Sequence, residues 1–173
     1  YDAAGRLTAA VQPGGNASYA YNAAGLPLQA GYRTKDGVSI EDSFTYDRMG
    51  RIITAERKGS EEAYSRSAAY GYDSLGRLLS CTEGADSETY SYDALGNRTL
   101  KKTGAGQTVY RYDAMNRLIS LTETGTAYSY GYDRRGNLTE ERRNDSLIRQ
   151  YVYDAAGRMV QGKNLETGEE SSY

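Results

Sequence analysis

The 173-residue sequence contains no histidine and no tryptophan, and only one cysteine. Without histidine there is no Ser-His or Cys-His catalytic pair, no imidazole metal ligand and no histidine pH switch. Cys81 has no partner for an internal disulfide, and we expect it to be a small buried filler. No apolar run reaches the ~18 residues of a membrane span. No charged-then-apolar leader stands at Tyr1, so any export signal is expected outside this chain.

Large aliphatic residues and excess charge are also scarce. Leu, Ile, Val and Phe total 24 residues, about 14% of the chain. Fractions below about 20% are typical of disorder when net charge is high, but the formal charge is only −2. That near-neutrality argues against a nucleic-acid binder, which needs a clustered basic surface. Eighteen tyrosines supply apolar area instead, so the sequence predicts an ordered fold built around tyrosine.

A heptad of the form Tyr-Asp-x-x-Gly-Arg-Leu recurs eight times, beginning near residues 1, 21, 46, 72, 92, 112, 132 and 153. The spacings are 20, 25, 26, 20, 20, 20 and 21 residues. This periodicity predicts one repeat array over residues 1–173, with no separate catalytic or toxin domain. The two long periods contain about five additional residues each, which we expect to form longer loops. No helical periodicity is present.

The Asp-x-x-Gly segment of each heptad predicts a hairpin turn. Asn22 replaces the aspartate once, and both residues can accept hydrogen bonds from nearby backbone N–H groups. Asn116 replaces the glycine once, and both residues tolerate a left-handed backbone. The pattern therefore indicates a type I turn whose fourth residue is left-handed and bulged. The predicted structural turn residues are Asp2, Gly5, Asn22, Gly25, Asp47, Gly50, Asp73, Gly76, Asp93, Gly96, Asp113, Asn116, Asp133, Gly136, Asp154 and Gly157.

Paired aromatic residues precede the turns, at a spacing of two that places both rings on one face of a strand. We expect Tyr72 to lie opposite Leu78, and Tyr132 opposite Leu138. Pro27 and Arg98 interrupt the apolar position after the turn, and Pro27 suggests an edge strand or a bulge. The predicted aromatic ladder comprises Tyr19, Tyr21, Phe44, Tyr46, Tyr70, Tyr72, Tyr90, Tyr92, Tyr110, Tyr112, Tyr130, Tyr132, Tyr151 and Tyr153.

The predicted fold is all-β, with consecutive antiparallel hairpins side by side in one continuous, curved or spiralling sheet. A lone hairpin is marginally stable, so stacking of neighbours would supply the stability. Both ends lie in repeat phase, which would leave edges open to the rest of a longer chain or to neighbouring copies.

The repeated side chains permit functional and structural interpretations. The Asp positions could bind a metal ion, but neighbouring turns would lie about 10 Å apart, so turn chemistry is favoured. The tyrosines could bind sugar or peptide, although packing within the fold explains their regular placement better. The arginines that follow the turn could contact acidic cargo, or pair locally with Asp or with a neighbouring Glu. We expect no catalytic residue, metal or cofactor.

The heptad, at 20–21-residue spacing, resembles the tyrosine-aspartate (YD) repeat of Rhs proteins, toxin-complex proteins and teneurins. The resemblance implies a β-sheet that spirals into a hollow shell, which in bacterial members encloses a toxin polypeptide. It implies a secreted or cell-surface location. Residues 164–170 do not resemble the self-cleaving Rhs core motif, so protease activity and toxicity are not implied.

Two functions follow from these observations. The first is a non-catalytic scaffold that encloses a polypeptide. The alternative is an extracellular adhesive, fibre-forming or carbohydrate-binding protein whose partner would be a surface glycan.

Overall fold

The computed structural model describes all 173 residues as an all-β chain of sixteen strands and one 3₁₀ turn. The 3₁₀ turn, Glu62–Tyr64, follows the fifth strand. The strands are β1 (Ala9–Gln12), β2 (Gly15–Tyr21), β3 (Pro27–Thr34), β4 (Ser39–Tyr46), β5 (Ile52–Gly59), β6 (Arg66–Tyr72), β7 (Leu78–Glu83), β8 (Asp86–Tyr92), β9 (Arg98–Thr103), β10 (Gly106–Tyr112), β11 (Leu118–Glu123), β12 (Thr126–Tyr132), β13 (Leu138–Arg143), β14 (Ser146–Tyr153), β15 (Met159–Asn164) and β16 (Glu170–Ser172).

The strands follow one another in chain order in a single antiparallel sheet, which confirms the predicted all-β hairpin fold. Because every connection joins neighbouring strands, no crossover is needed. The chain divides into two compact units, residues 1–88 and 89–173. The first unit contains the 3₁₀ turn.

Two kinds of turn alternate along the chain. The Asp-x-x-Gly turns span five residues, as in the segment Asp73–Arg77 between β6 and β7. Most of the intervening connections are two-residue turns. In Thr124–Gly125 both residues have positive φ, at 46° and 83°, and Asn144–Asp145 has 46° and 67°. These values are typical of the type I′ turn, whose twist matches that of the flanking strands.

A bulge accompanies each YD hairpin whose register is defined. Tyr72 pairs with Leu78, as predicted, but the preceding Gly71 pairs with Ser80, which leaves Leu79 without a partner. The corresponding unpaired residues in the other hairpins are Leu28, Ile53, Ile119, Thr139 and Val160. A bulge bends its strand and redirects side chains, so two consecutive residues after each turn depart from simple alternation.

Pro27 lies within the sheet and not at its edge, so the edge-strand alternative is wrong. It opens β3, which pairs with β2 on one side and with β4 on the other. Pro27 still pairs opposite Tyr21, and the bulge at Leu28 follows immediately. A proline at the first residue of a strand beside a bulge avoids the ladder donor that it lacks.

Two smaller expectations need correction. The second long period contains the 3₁₀ turn Glu62–Tyr64. With only three residues, this turn is too short to produce a helical periodicity in the sequence. Its length is far below that of a membrane-crossing helix, and no other helix is present. Cys81 is half-buried in β7 opposite Tyr70, and not buried, because a single sheet layer offers little depth.

The sheet has almost no dry core. Besides Gly15, only Ala17, Ile148 and Thr108 are buried, with 7%, 8% and 8% of their surface exposed. Stability must therefore come from the backbone ladder, from half-buried side chains and from contacts between successive hairpins. Those contacts concentrate near the YD turns.

Candidate functional site: the turn-edge staples

Each YD turn is closed by its aspartate. In the third turn, Asp47 Oδ1 accepts hydrogen bonds from the backbone N–H groups of Met49 at 2.8 Å and Arg51 at 3.0 Å. The backbone N–H of Gly50 donates to the Asp47 carbonyl at 3.1 Å, and the N–H of Asp47 donates to the Arg51 carbonyl at 2.9 Å. One carboxylate thus satisfies donors that a tight turn would otherwise leave to solvent.

The other predicted turn residues occupy equivalent positions. The carboxylate or amide Oδ1 accepts the N–H four residues on at Asp2, Asn22, Asp73, Asp93, Asp113, Asp133 and Asp154. The fourth turn residue has φ between 61° and 90° at Gly5, Gly25, Gly50, Gly76, Gly96, Asn116, Gly136 and Gly157. A residue with a Cβ is strained at this φ, and asparagine tolerates it best.

The arginine after the turn glycine binds the aspartate of its own turn. Arg51 Nε lies 2.6 Å from Asp47 Oδ2, and Arg117 Nε lies 2.7 Å from Asp113 Oδ2. The same ion pair forms at Arg6, Arg77 and Arg158. This is the local alternative considered for these arginines. The backbone N–H of Arg117, followed by its guanidinium, holds the pKa of Asp113 below its usual value.

The same arginine also reaches the next hairpin. Arg51 Nη1 donates to the Asp73 carbonyl at 3.2 Å, and its guanidinium lies 4.6 Å from the centre of the Tyr72 ring. The equivalent stacks join Arg6 to Tyr21 at 4.9 Å and Arg117 to Tyr132 at 4.8 Å. Stacking on an aromatic face suits the planar guanidinium.

The stacked tyrosine completes the contact from the other side. The Tyr72 hydroxyl donates to the Ile52 carbonyl of the preceding hairpin at 3.0 Å. The same bond runs from Tyr21 to Leu7, from Tyr46 to Pro27, from Tyr112 to Arg98 and from Tyr132 to Leu118, at 2.6–3.1 Å. We call this set of three contacts the turn-edge staple. An arginine forms an ion pair with the aspartate of its own turn and stacks on the tyrosine of the next hairpin. The hydroxyl of that tyrosine donates a hydrogen bond to a carbonyl of the preceding hairpin.

All fourteen residues of the predicted aromatic ladder are half-buried. The second residue of each pair (Tyr21, Tyr46, Tyr72, Tyr92, Tyr112, Tyr132 and Tyr153) precedes the turn, where the staples form. The first residue of a pair has more varied contacts: the Tyr151 hydroxyl, for example, donates to Glu141 Oε1 at 2.8 Å. Burial raises the pKa of Tyr132 and of Tyr130, as expected for a phenol removed from water.

Two turns replace the arginine with asparagine. Asn97 Nδ2 donates to Asp93 Oδ2 at 2.9 Å, and Asn137 Nδ2 donates to Asp133 Oδ2 at 2.9 Å. Asn97 Nδ2 also lies 3.0 Å from Asn116 Oδ1 of the following turn. The shorter side chain keeps the bond within its turn but carries no charge.

Nowhere do three carboxylate or thiol side chains come together as ligands for an ion. The turn aspartates accept hydrogen bonds that close the turns, and the arginines that follow form contacts within and between hairpins. The staples join successive hairpins at Arg6–Tyr21, Arg51–Tyr72 and Arg117–Tyr132.

Sequence reasoning placed a bulge at the turn glycine, which fits the hydrogen bonds from Asp73 N–H to the Arg77 carbonyl and from Gly76 N–H to the Asp73 carbonyl. It missed the second bulge, at Leu79 and its equivalents, and the arginine–tyrosine stack. Doublets such as Leu78-Leu79 and Leu118-Ile119 break the alternation of a regular strand and were the available signal for the bulges. The stack could not be inferred from spacing alone, because it depends on how far one hairpin is displaced from the next.

Comparison with known proteins places these features in a family. The Teneurin YD-shell family model matches residues 21–169, and the RHS Repeat model matches residues 1–39. No curated protein matches.

Solved structures show the same fold. The crystal structure of TcdB2-TccC3 aligns over 87% of this chain with a TM-score of 0.68 at 16% identity. That of TcdB2-TccC3-TEV aligns over 94% with a TM-score of 0.65 at 18% identity. The aligned part is only 9% and 12% of those chains, so this chain spans about a tenth of their length. Since the family model covers most of the sequence and the fold agrees, this chain belongs to the Teneurin YD-shell family.

Proposed function

We propose that this chain is a non-catalytic wall segment of a YD shell that encloses a polypeptide. The family and the fold support a repeat-shell scaffold. The observation that carries the proposal is the single sheet layer, which is hydrogen-bonded from strand to strand and has almost no core of its own. Such a layer separates two compartments and does not fill either of them.

The turn-edge staples support a load-bearing wall. Each one adds a charged and an aromatic contact between successive hairpins, beyond the backbone ladder. Stability in a repeat array is approximately a sum of intrinsic and nearest-neighbour terms. Strong neighbour terms would oppose local opening through which a protease or solvent could pass. A longer chain would supply the rest of the wall, and a secreted or cell-surface location is part of this proposal.

Enclosure can be tested on the full-length protein that contains this segment. Electron cryo-microscopy should show a lumen with this sheet in its wall, and an enclosed segment should resist protease until the wall is unfolded. A solid stack of sheets, or an interior segment cleaved as fast as a free peptide, would refute enclosure.

A second candidate function is carbohydrate binding or adhesion on the tyrosine face. The half-buried rings leave part of their surface in water, and aromatic faces suit amphipathic ligands such as sugars. Titration of the chain with a panel of glycans would change the tyrosine ring resonances. Unchanged resonances at millimolar glycan would eliminate this candidate.

A further inference from the structure

One residue beside the aromatic ladder differs in chemical type from its equivalents in the other repeats. Arg98 occupies the first position of β9, immediately after its turn. The other repeats have at this position Leu7, Pro27, Ile52, Leu78, Leu118, Leu138 and Met159. A charged side chain in an otherwise apolar position is a local exception to the pattern, and such exceptions occur preferentially at functional sites.

Aromatic rings hold the Arg98 guanidinium in place. It lies 4.7 Å from the centre of the Tyr110 ring and 5.8 Å from that of Tyr90. Its Nη2 donates to the Tyr110 hydroxyl at 3.1 Å. The bond to Tyr110 uses one of the five N–H donors of the guanidinium.

No carboxylate of the chain pairs with Arg98. The other half-buried arginines, Arg6, Arg51, Arg57, Arg77, Arg117 and Arg142, all form ion pairs within the chain. A partly desolvated guanidinium without a carboxylate is unusual, since charges removed from water are normally paired. Arg98 is thus an ordered cation whose counter-charge the chain does not supply.

Arg98 borders a depression of about 270 Å³ whose lining also includes Lys101, Thr108, Tyr110 and Glu123. Thr108 is 8% exposed and is the one buried polar residue of the chain. In the strand register Thr108 pairs with Lys101 on one side and with Glu123 on the other. The depression therefore has Arg98 and Lys101 on its β9 side, and the backbone of Glu123 lies two strand spacings, about 10 Å, from that of Lys101.

We propose that this depression binds the carboxylate of one acidic side chain from a polypeptide. The planar guanidinium of Arg98 matches the geometry of a carboxylate. Glu123 repels a second anion, so an isolated Glu or Asp fits better than an acidic run. The volume is below the 300–1,000 Å³ typical of small-molecule pockets and suits one side chain better than a sugar. That the acidic residue belongs to an enclosed cargo rests on the function proposed above.

The binding step can be measured by NMR on the 173-residue chain. The probe is a glutamate residue blocked at both ends, and the blocked glutamine residue of the same shape is its neutral control. We expect the Arg98 Nε–H resonance to shift in a saturable manner with the glutamate probe, and to remain unchanged with the glutamine probe.

The chain provides matched variants for this experiment. Arg98→Leu restores the residue of Leu78 and Leu118 at this position, so the hairpin should fold. We expect it to weaken binding by about tenfold or more, as loss of a charge-assisted pair predicts. Arg111→Leu removes an exposed arginine that has no ion pair, and it should leave binding unchanged.

Three results from the measurements described above would overturn the proposal. They are the absence of any Arg98 shift at tens of millimolar probe, equal shifts with the glutamine probe, and undiminished binding by Arg98→Leu. A response to glucuronate but not to blocked glutamate would also refute it, because the ligand would then be an acidic sugar. None of these results depends on a lumen, so failure here and failure of enclosure are separable.

Discussion

The Arg51→Leu substitution tests whether the turn-edge staple stabilises the sheet. It removes the ion pair with Asp47, the stack on Tyr72 and the hydrogen bond from Nη1 to the Asp73 carbonyl. A cation–π contact at a partly exposed site contributes about 0.5–1 kcal/mol, and a hydrogen bond contributes a net of about 0.5–1.5 kcal/mol after exchange with water. We therefore expect a loss of about 1–2 kcal/mol in the free energy of unfolding. Leucine is compatible with the turn, because Leu26 occupies the equivalent position in the second repeat.

Urea unfolding followed by circular dichroism gives the free energy of unfolding. A double-mutant cycle with Tyr72→Leu isolates the stack, and we expect a coupling of about 0.5–1 kcal/mol. Arg48→Leu is the matched control, because Arg48 is exposed in the same turn and forms no ion pair. If Arg51→Leu costs no more than Arg48→Leu, and the coupling is zero, the staple is a contact without energetic consequence and our reasoning is wrong.

Three further predictions concern the turns. Gly76→Val should destabilise the chain by about 1–3 kcal/mol in urea unfolding, because a β-branched residue is strained at the φ of +86° found there. Thr124→Asn should raise the melting temperature and stabilise by on the order of 1 kcal/mol, because Thr124 has φ 46° in a type I′ turn that favours Asn-Gly. Stability should fall on acidification below about pH 4, the ordinary range of an unfolded aspartate. The pKa of Asp113 is lowered in the folded chain by the Arg117 N–H and guanidinium, so the unfolded chain takes up protons first.

Each of these predictions has an internal control. Gly104→Ala should be tolerated, because Gly104 has no positive φ and a Cβ there would meet nothing within 4 Å. An unchanged melting temperature for Gly76→Val would contradict the turn geometry. A lower melting temperature for Thr124→Asn would show that Thr124 is not strained.

Asp113→Asn should reduce the fall in the free energy of unfolding at low pH. The Asp113 carboxylate stabilises the folded chain above its pKa in the unfolded chain, and this stabilisation is lost as the pH falls through its pKa in the folded chain. If the loss of stability at low pH is the same with and without this substitution, the Asp113 carboxylate does not cause it.

The turns were predictable because their chemistry is local. Asp73 and Gly76 lie three residues apart, and each is constrained by its own backbone, so two tolerated replacements elsewhere were enough to reveal the geometry. The pairing of Tyr72 with Leu78 followed from the turn length, since the loop fixes hairpin register. The bulge at Leu79 was missed because an alternating pattern was assumed to continue beyond the turn.

Contacts between hairpins were less predictable. The stack of Arg51 on Tyr72 joins residues 21 positions apart, and its formation depends on the displacement between adjacent hairpins. Arg98 illustrates the same limit: its sequence position marked an exception, but only the fold shows that Tyr90 and Tyr110 flank it and that no carboxylate reaches it.

The sequence by itself determined the repeat, the turn type and the antiparallel hairpin, because each of these depends on interactions within a few residues. The tertiary structure decided which arginine meets which tyrosine, where the bulges lie, and which charge is left without a partner. The physical reason is that these outcomes depend on the register and spacing between separate hairpins. Those quantities are set by the summed packing of the whole sheet and not by any one segment.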